Sequence, residues 1–223
     1  FWRINQLNLN SMKKNYFLSL LMTIIFSGLS FSQDIVITGV FDGPLSGGTP
    51  KGVELYVLND IQDLSIYGIG SANNGQGTDG QEFTFPAVAV TKGTYLYVAS
   101  EELQFTAFFG FAPDYNAGST MGINGDDAIE LFMNGSVIDL YGDINISGSG
   151  EVWDYLDGWA YRKNGTGPNT TFNTTDWTFS GINVFDGQTS NSTAATPFPS
   201  KSYTTTASSS PEITVGNAVT GLD

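Results

Sequence analysis

Cysteine and histidine are both absent from the 223 residues. Disulfide bridges, thiolate or imidazole metal ligation and imidazole acid–base catalysis are therefore excluded, and a serine nucleophile has no histidine to activate it. Positive charge is scarce, with 8 lysines and arginines against 22 aspartates and glutamates. Such a surface repels phosphate backbones, so direct nucleic-acid binding is not expected. Sustained helical periodicity is missing, and the one long apolar run falls short of the ~20 residues that span a bilayer. Any metal would have to be held by oxygen ligands, which points to calcium.

What the chain does have is 27 glycines, aromatics at 13% and many Thr, Ser and Asn, a composition that favours an all-β exported domain. Residues 1–11 precede Met12 and look like translated upstream sequence. Residues 12–32 have the layout of a signal peptide: Lys13 and Lys14, an apolar stretch from Tyr16 to Leu29, then Ser30-Phe31-Ser32 with cleavage expected near Ser32. Arg3, Lys13 and Lys14 would leave with the leader, so five basic residues would remain against all 22 acidic ones, a formal charge of −17. Residues 33–187 form the expected domain. Residues 188–210 read as a Ser/Thr-rich linker without an apolar period, and residues 211–223 as the start of a truncated next domain.

The strongest local signal is Asn134-Gly135 between two apolar-rich runs, a pair that fits a type I′ turn with positive φ at both residues. Counting outward places Leu131 opposite Ile138 and Ile129 opposite Leu140 on a core-facing side. The other side sets Glu130 across from Asp139 and Ala128 across from Tyr141, so two carboxylates would oppose each other and need water or a cation. Alternation also marks strands at DIVITGVF from Asp34, with Ile35, Ile37 and Val40 inward, at KGVELYVL from Lys51, and at TYLYVA from Thr94. Gly68 to Gly80 reads as a surface loop. A short helix is expected within Glu101 to Phe111, capped by Ser100 and stopped by Gly110 and Pro113.

Together these pieces, DIVITGVF, KGVELYVLN with DLSIYGI, TYLYVAS, NGDDAIELFMNGSVIDLYG and GWAYRKNGTGP with DWTF, resemble the lamin tail domain over residues 33 to about 198. The NGDD block at Asn124 to Asp127, running into the hairpin, carries most of the likeness. The resemblance implies an immunoglobulin-like antiparallel β-sandwich without catalysis, of a kind found in secreted bacterial proteins beside nucleases, phosphoesterases or other sandwich domains. The basic segments of animal lamin tails are missing here, so nuclear partnerships do not carry over.

Two constellations bear on function. Asn124, Asp126 and Asp127 lie just ahead of one hairpin strand and Asp143 just after the other, with Glu151, Asp154 and Asp157 beyond. They either converge on calcium, which takes 6 to 8 oxygens, or cap turns by accepting backbone N–H groups. Trp153, Tyr155, Trp159 and Tyr161 share one strand face if Asp157-Gly158 leaves the strand unbroken, and would then stack on carbohydrate; otherwise they fill the core. Glycosidase-like use of Glu130 and Asp139 lacks a cleft on a mid-strand sheet face. The reading is of a non-enzymatic, monomeric module of a longer exported protein, acting as a spacer or adhesion domain toward a protein or glycan at the cell surface. The alternatives are an accessory domain of a secreted nuclease or phosphoesterase and a carbohydrate-binding module.

Overall fold

A computed structural model describes residues 33–207. The expected upstream stretch, the leader at 12–32 and the strand start at 211–223 lie outside them. Among the described residues ten strands form two sheets. One has the order β10 (Trp177–Phe179), β9 (Trp159–Arg162), β1 (Ile35–Leu45), β2 (Thr49–Val57), β5 (Tyr95–Ala99), β6 (Tyr115–Asn116). The other has the order β4 (Phe83–Thr84), β3 (Tyr67–Ala72), β7 (Ala128–Met133), β8 (Ser136–Tyr141). Every pairing is antiparallel except β5 with β6. The protein is an all-β sandwich, and among the described residues no helix is long and apolar enough to cross a membrane.

Alternation along the strands builds two cores. Ile35, Ile37 and Val40 of β1 join Val53, Leu55, Ile129 and Leu131 between the sheets. An extra residue at Thr38 shifts the pairing between Ile37 and Gly39, which is why an even-numbered residue, Val40, continues the inward set. The opposite face of the six-stranded sheet is apolar too. Val36, Phe41, Tyr97, Trp159 and Tyr161 bury under helix α1 (Leu103–Phe109) and the chain beyond residue 183.

The hairpin turns where expected, with φ of 50° at Asn134 and 75° at Gly135. Its register departs from simple counting. Met133 faces Ser136 and Phe132 faces Val137, but Leu131 then faces Asp139, Glu130 faces Leu140 and Ile129 faces Tyr141. Ile138 is the additional residue of a bulge. Leu131 and Ile138 are both buried, yet Glu130 and Asp139 are not opposed. The bulge turns Asp139 toward the other sheet, where its Oδ2 accepts from the Ile37 N–H at 2.8 Å.

Three other expectations are corrected. The segment from Gly68 is no surface loop at its start: through Ala72 it is the buried strand β3, paired along its length with β7. Its glycines make room for the returning chain, since a methyl group at Gly70 would lie 2.2 Å from the Gly80 carbonyl oxygen. Gly70→Ala should therefore destabilise by about 1–3 kcal/mol through overpacking, seen as a lower urea midpoint with unchanged slope.

Helix α1 is not capped by Ser100. The Glu101 carboxylate accepts from the backbone N–H groups of Gln104 at 2.8 Å and Phe105 at 3.1 Å, and Gly110, φ 81°, ends the helix. Residues 188–207 are not a free linker but a strap across the outer core. Ala194, Phe198 and Tyr203 are buried, and the Phe198 ring sits so closely on β1 that a methyl group at Gly39 would be 2.4 Å from it.

Candidate functional site

Strand directions bring five connections to one end of the sandwich: the β1–β2 turn, the chain after β3, the chain before β7, residues 142–158 and residues 180–187. Backbone bonds tie them together. Asn183 N–H donates to the Leu156 carbonyl at 2.7 Å, Tyr155 N–H to Gly125 at 2.9 Å, Gly148 N–H to Asp126 at 2.8 Å and Gly77 N–H to Ile144 at 2.8 Å. A loop end so cross-linked presents its side chains on a fixed frame.

The expected calcium residues do gather here, but as turn-building groups. Asp127 is fully buried; its Oδ1 accepts from the Asn74 N–H at 2.8 Å and its Oδ2 from the Asn124 N–H at 2.9 Å. Burial pushes its carboxyl up from the ordinary range. Asp126 Oδ2 accepts from the Ser147 hydroxyl at 2.7 Å, and Asp143 Oδ1 from the Asn145 N–H at 2.9 Å. Asn124 offers its Oδ1 to Lys51 Nζ at 3.1 Å. Among the described residues no three acidic side chains stand close enough to hold a metal ion. Backbone N–H groups, a hydroxyl and an ammonium thus bond oxygens of Asn124, Asp126, Asp127 and Asp143, the turn-capping arrangement that the sequence also allows.

Lys51, which the sequence reading placed only as a strand start, is the cation of this end. Its Nζ donates to Asp42 Oδ1 at 2.7 Å, to the Ile123 carbonyl at 2.6 Å and to Asn124, filling all three of its donors. Burial outweighs the Lys51 contact and pushes the Asp42 carboxyl up to about 6. The folded protein thus keeps this proton up to about pH 6, whereas the unfolded chain releases it near 3.8. Stability from Asp42 is complete below the lower value and is lost as pH rises through the upper one, because the unfolded state binds fewer protons in between. The expected loss is on the order of 2–3 kcal/mol. A carboxyl carbon NMR titration should show a midpoint near 6, and Asp42→Asn should flatten the pH dependence of urea unfolding across that window.

The four rings do not make a platform. Residues 151–158 are turns, with Asp157 at φ 43°, and β9 begins only at Trp159; Trp153 and Tyr155 lie in the core between the sheets while Trp159 and Tyr161 enter the outer core. All four are buried, Trp159 being the most accessible at 7%. Tyr155 OH donates to the Asp127 carbonyl at 3.0 Å and Trp159 Nε1–H to the Thr196 carbonyl at 3.0 Å. The rings thus fill the cores, the second of the two arrangements that the sequence allows.

Two buried polar centres have partners that no local sequence pattern marks. Glu54, fully buried and pushed up by that burial, accepts from Thr38 Oγ1 at 2.7 Å, Tyr161 OH at 2.7 Å, Tyr97 OH at 2.5 Å and the Lys201 N–H at 2.7 Å. Tyr161 OH accepts in turn from the Ser202 and Tyr203 N–H groups, at 3.1 and 3.0 Å, fixing the strap to the sheet. Asp139 meets Arg162 across the sandwich, with Nη2 2.8 Å from both carboxylate oxygens. Arg162 also donates to the Ile37 and Gly167 carbonyls and lies 4.5 Å over the Trp177 ring. Glu130 accepts from the Thr78 hydroxyl at 2.5 Å. These acids hold one layer or loop to another. No protein family, characterised protein or solved structure matches this chain.

Proposed function

We propose that this chain is a non-catalytic, immunoglobulin-like sandwich of the lamin-tail type, exported through the leader at 12–32 and serving at the cell surface as a spacer that binds through its loop end. The observation that supports this reading most is the internal pairing of the buried charged groups: Asp127, Glu54, Asp139 with Arg162 and Asp42 with Lys51 all cross-link layers or loops. Groups already saturated by protein donors are poor acids, bases or ligands, and good cross-braces. The likeness to lamin tails is supported by Asn124 to Asp127 running into a type I′ hairpin at Asn134-Gly135.

The test is hydrolysis by the purified chain. Incubation with plasmid DNA, p-nitrophenyl phosphate and chitooligosaccharides, in calcium, magnesium and chelator, is expected to give no turnover above buffer. Turnover that disappears in Glu130→Gln would overturn the non-catalytic reading. The secreted product's mass should correspond to a chain beginning at Gln33.

A further inference from the structure

We infer that the loop end is a docking surface for a cationic protein segment bearing aliphatic anchors; this rests on the binding role just proposed and names the partner's chemistry. Among the described residues, four of the seven exposed large hydrophobic side chains fall on two of the loops there: Ile146, Val152 and Leu156 on residues 142–158, and Ile182 on residues 180–187. Leu156 and Ile182 are neighbours, since the Asn183 N–H bonds the Leu156 carbonyl at 2.7 Å. Their exposures, 63% for Val152, 39% for Leu156 and 49% for Ile182, expose apolar surface on backbone that is already fixed, so little ordering cost attends its burial by a partner.

Charge selects the partner. Glu151, Asp154, Asp157 and Asp186 interleave with these aliphatics. Asp157 and Asp186 are close enough that Asp186 adds to burial in raising the Asp157 carboxyl. The cation at this end, Lys51, is buried against Asp42, while the exposed Lys92 and Lys163 adjoin the opposite ends of β5 and β9 and the exposed Lys201 holds its Nζ over the Tyr97 and Phe111 rings. An approaching surface therefore gains by carrying lysine or arginine between apolar side chains, and an anionic lipid surface is repelled. Stacking on sugars is disfavoured because the tryptophans are buried and the exposed groups are aliphatic.

The probe is a fluorescein-labelled dodecapeptide of alternating lysine and leucine, read by anisotropy against the intact chain, with an alternating lysine–serine peptide as control. Saturable binding is expected, at least tenfold tighter for the leucine peptide, and weakening several-fold when salt rises from low to high. Val152→Ser with Ile182→Ser should cut affinity at least tenfold at unchanged melting temperature. Glu151→Gln with Asp186→Asn should flatten the salt dependence. If the double serine variant melts lower, Val152→Ser alone, at the most exposed of these side chains, provides the same test.

Equal binding of the two peptides, binding that survives the serine variants, or no binding at millimolar peptide would each overturn the inference. So would co-sedimentation with phosphatidylcholine vesicles that the serine variants abolish, since the apolar loops would then serve a membrane. Any of these outcomes leaves the hydrolysis result, and with it the non-catalytic reading, standing.

Discussion

Replacing Arg162 by methionine is expected to destabilise the protein by about 3–5 kcal/mol, because it leaves the buried Asp139 carboxylate without its countercharge. The side chains are 2% and 0% exposed, so water cannot take over. The geometry adds to the effect. Asp139 Oδ1 accepts from Arg162 and from the Asn169 N–H at 2.8 Å, and Oδ2 from Arg162 and the Ile37 N–H. Arg162 in turn satisfies the Ile37 carbonyl at 2.6 Å and the Gly167 carbonyl at 2.8 Å. One ion pair thus joins β8 of the small sheet to β1 and β9 of the large one. In Asp139→Asn combined with Arg162→Met, the amide keeps an acceptor oxygen and the orphaned charge is gone. Urea unfolding of both singles and the double should reveal a coupling of about 0.5–3 kcal/mol. The deficit of Arg162→Met should shrink at acidic pH, where a protonated Asp139 no longer needs a cation; a deficit constant with pH would mean that lost packing on Trp177, and not charge, sets the cost.

This ion pair also marks where sequence reasoning stops. Asn134-Gly135 announced its turn because the required positive φ is a property of those two residues. Ile35, Ile37, Val53, Leu55 and Val57 announced their face because alternation is local, and all five lie in the core between the sheets. The bulge at Ile138 has no such local mark. Its stability depends on Asp139 finding Arg162, which lies 23 residues on, and Ile37, which lies 102 residues back. The same holds for β3, whose glycines look like loop until Gly80 is seen crossing Gly70.

At the candidate site, the gathering of residues 124–127 with 143–157 followed from the hairpin, because both ends of a hairpin lie together. What the acidic side chains would do there did not follow. Asp127 is equally a ligand or a cap until its two N–H donors, at Asn74 and Asn124, are in place. Lys51 carries no motif, and its role depends on a loop 72 residues away. The ring set divides because only Trp159 and Tyr161 are on a strand: residues 151–158 are turns, and they carry Trp153 and Tyr155 into the other core.

Phe198→Ala is expected to cost about 3–5 kcal/mol, a core-sized loss from a residue that sequence composition would place in a linker. Its ring has edge contacts with Phe41, Tyr161 and Phe109, with centroids 5.2, 5.3 and 5.9 Å away. Part of its footprint on β1 is Gly39, which has no side chain to fill the space that the ring would leave. The strap around it is irregular, so it has little stability of its own and relies on these rings and on anchors to the sheet. Those anchors are the Lys201 N–H on Glu54, Tyr95 OH on the Tyr203 carbonyl at 2.5 Å and Tyr203 OH on the Thr166 carbonyl at 2.8 Å. Loss of Phe198 should therefore free the whole strap, raising amide hydrogen exchange across residues 191–207 before it does so in β2 or β7. A free linker gives the opposite result: no change in urea midpoint on Phe198→Ala, and fast exchange at the Ser202 and Tyr203 amides in the unaltered protein. The two outcomes separate a sandwich that ends at residue 187 from one that needs its strap to cover Phe41, Trp159 and Tyr161.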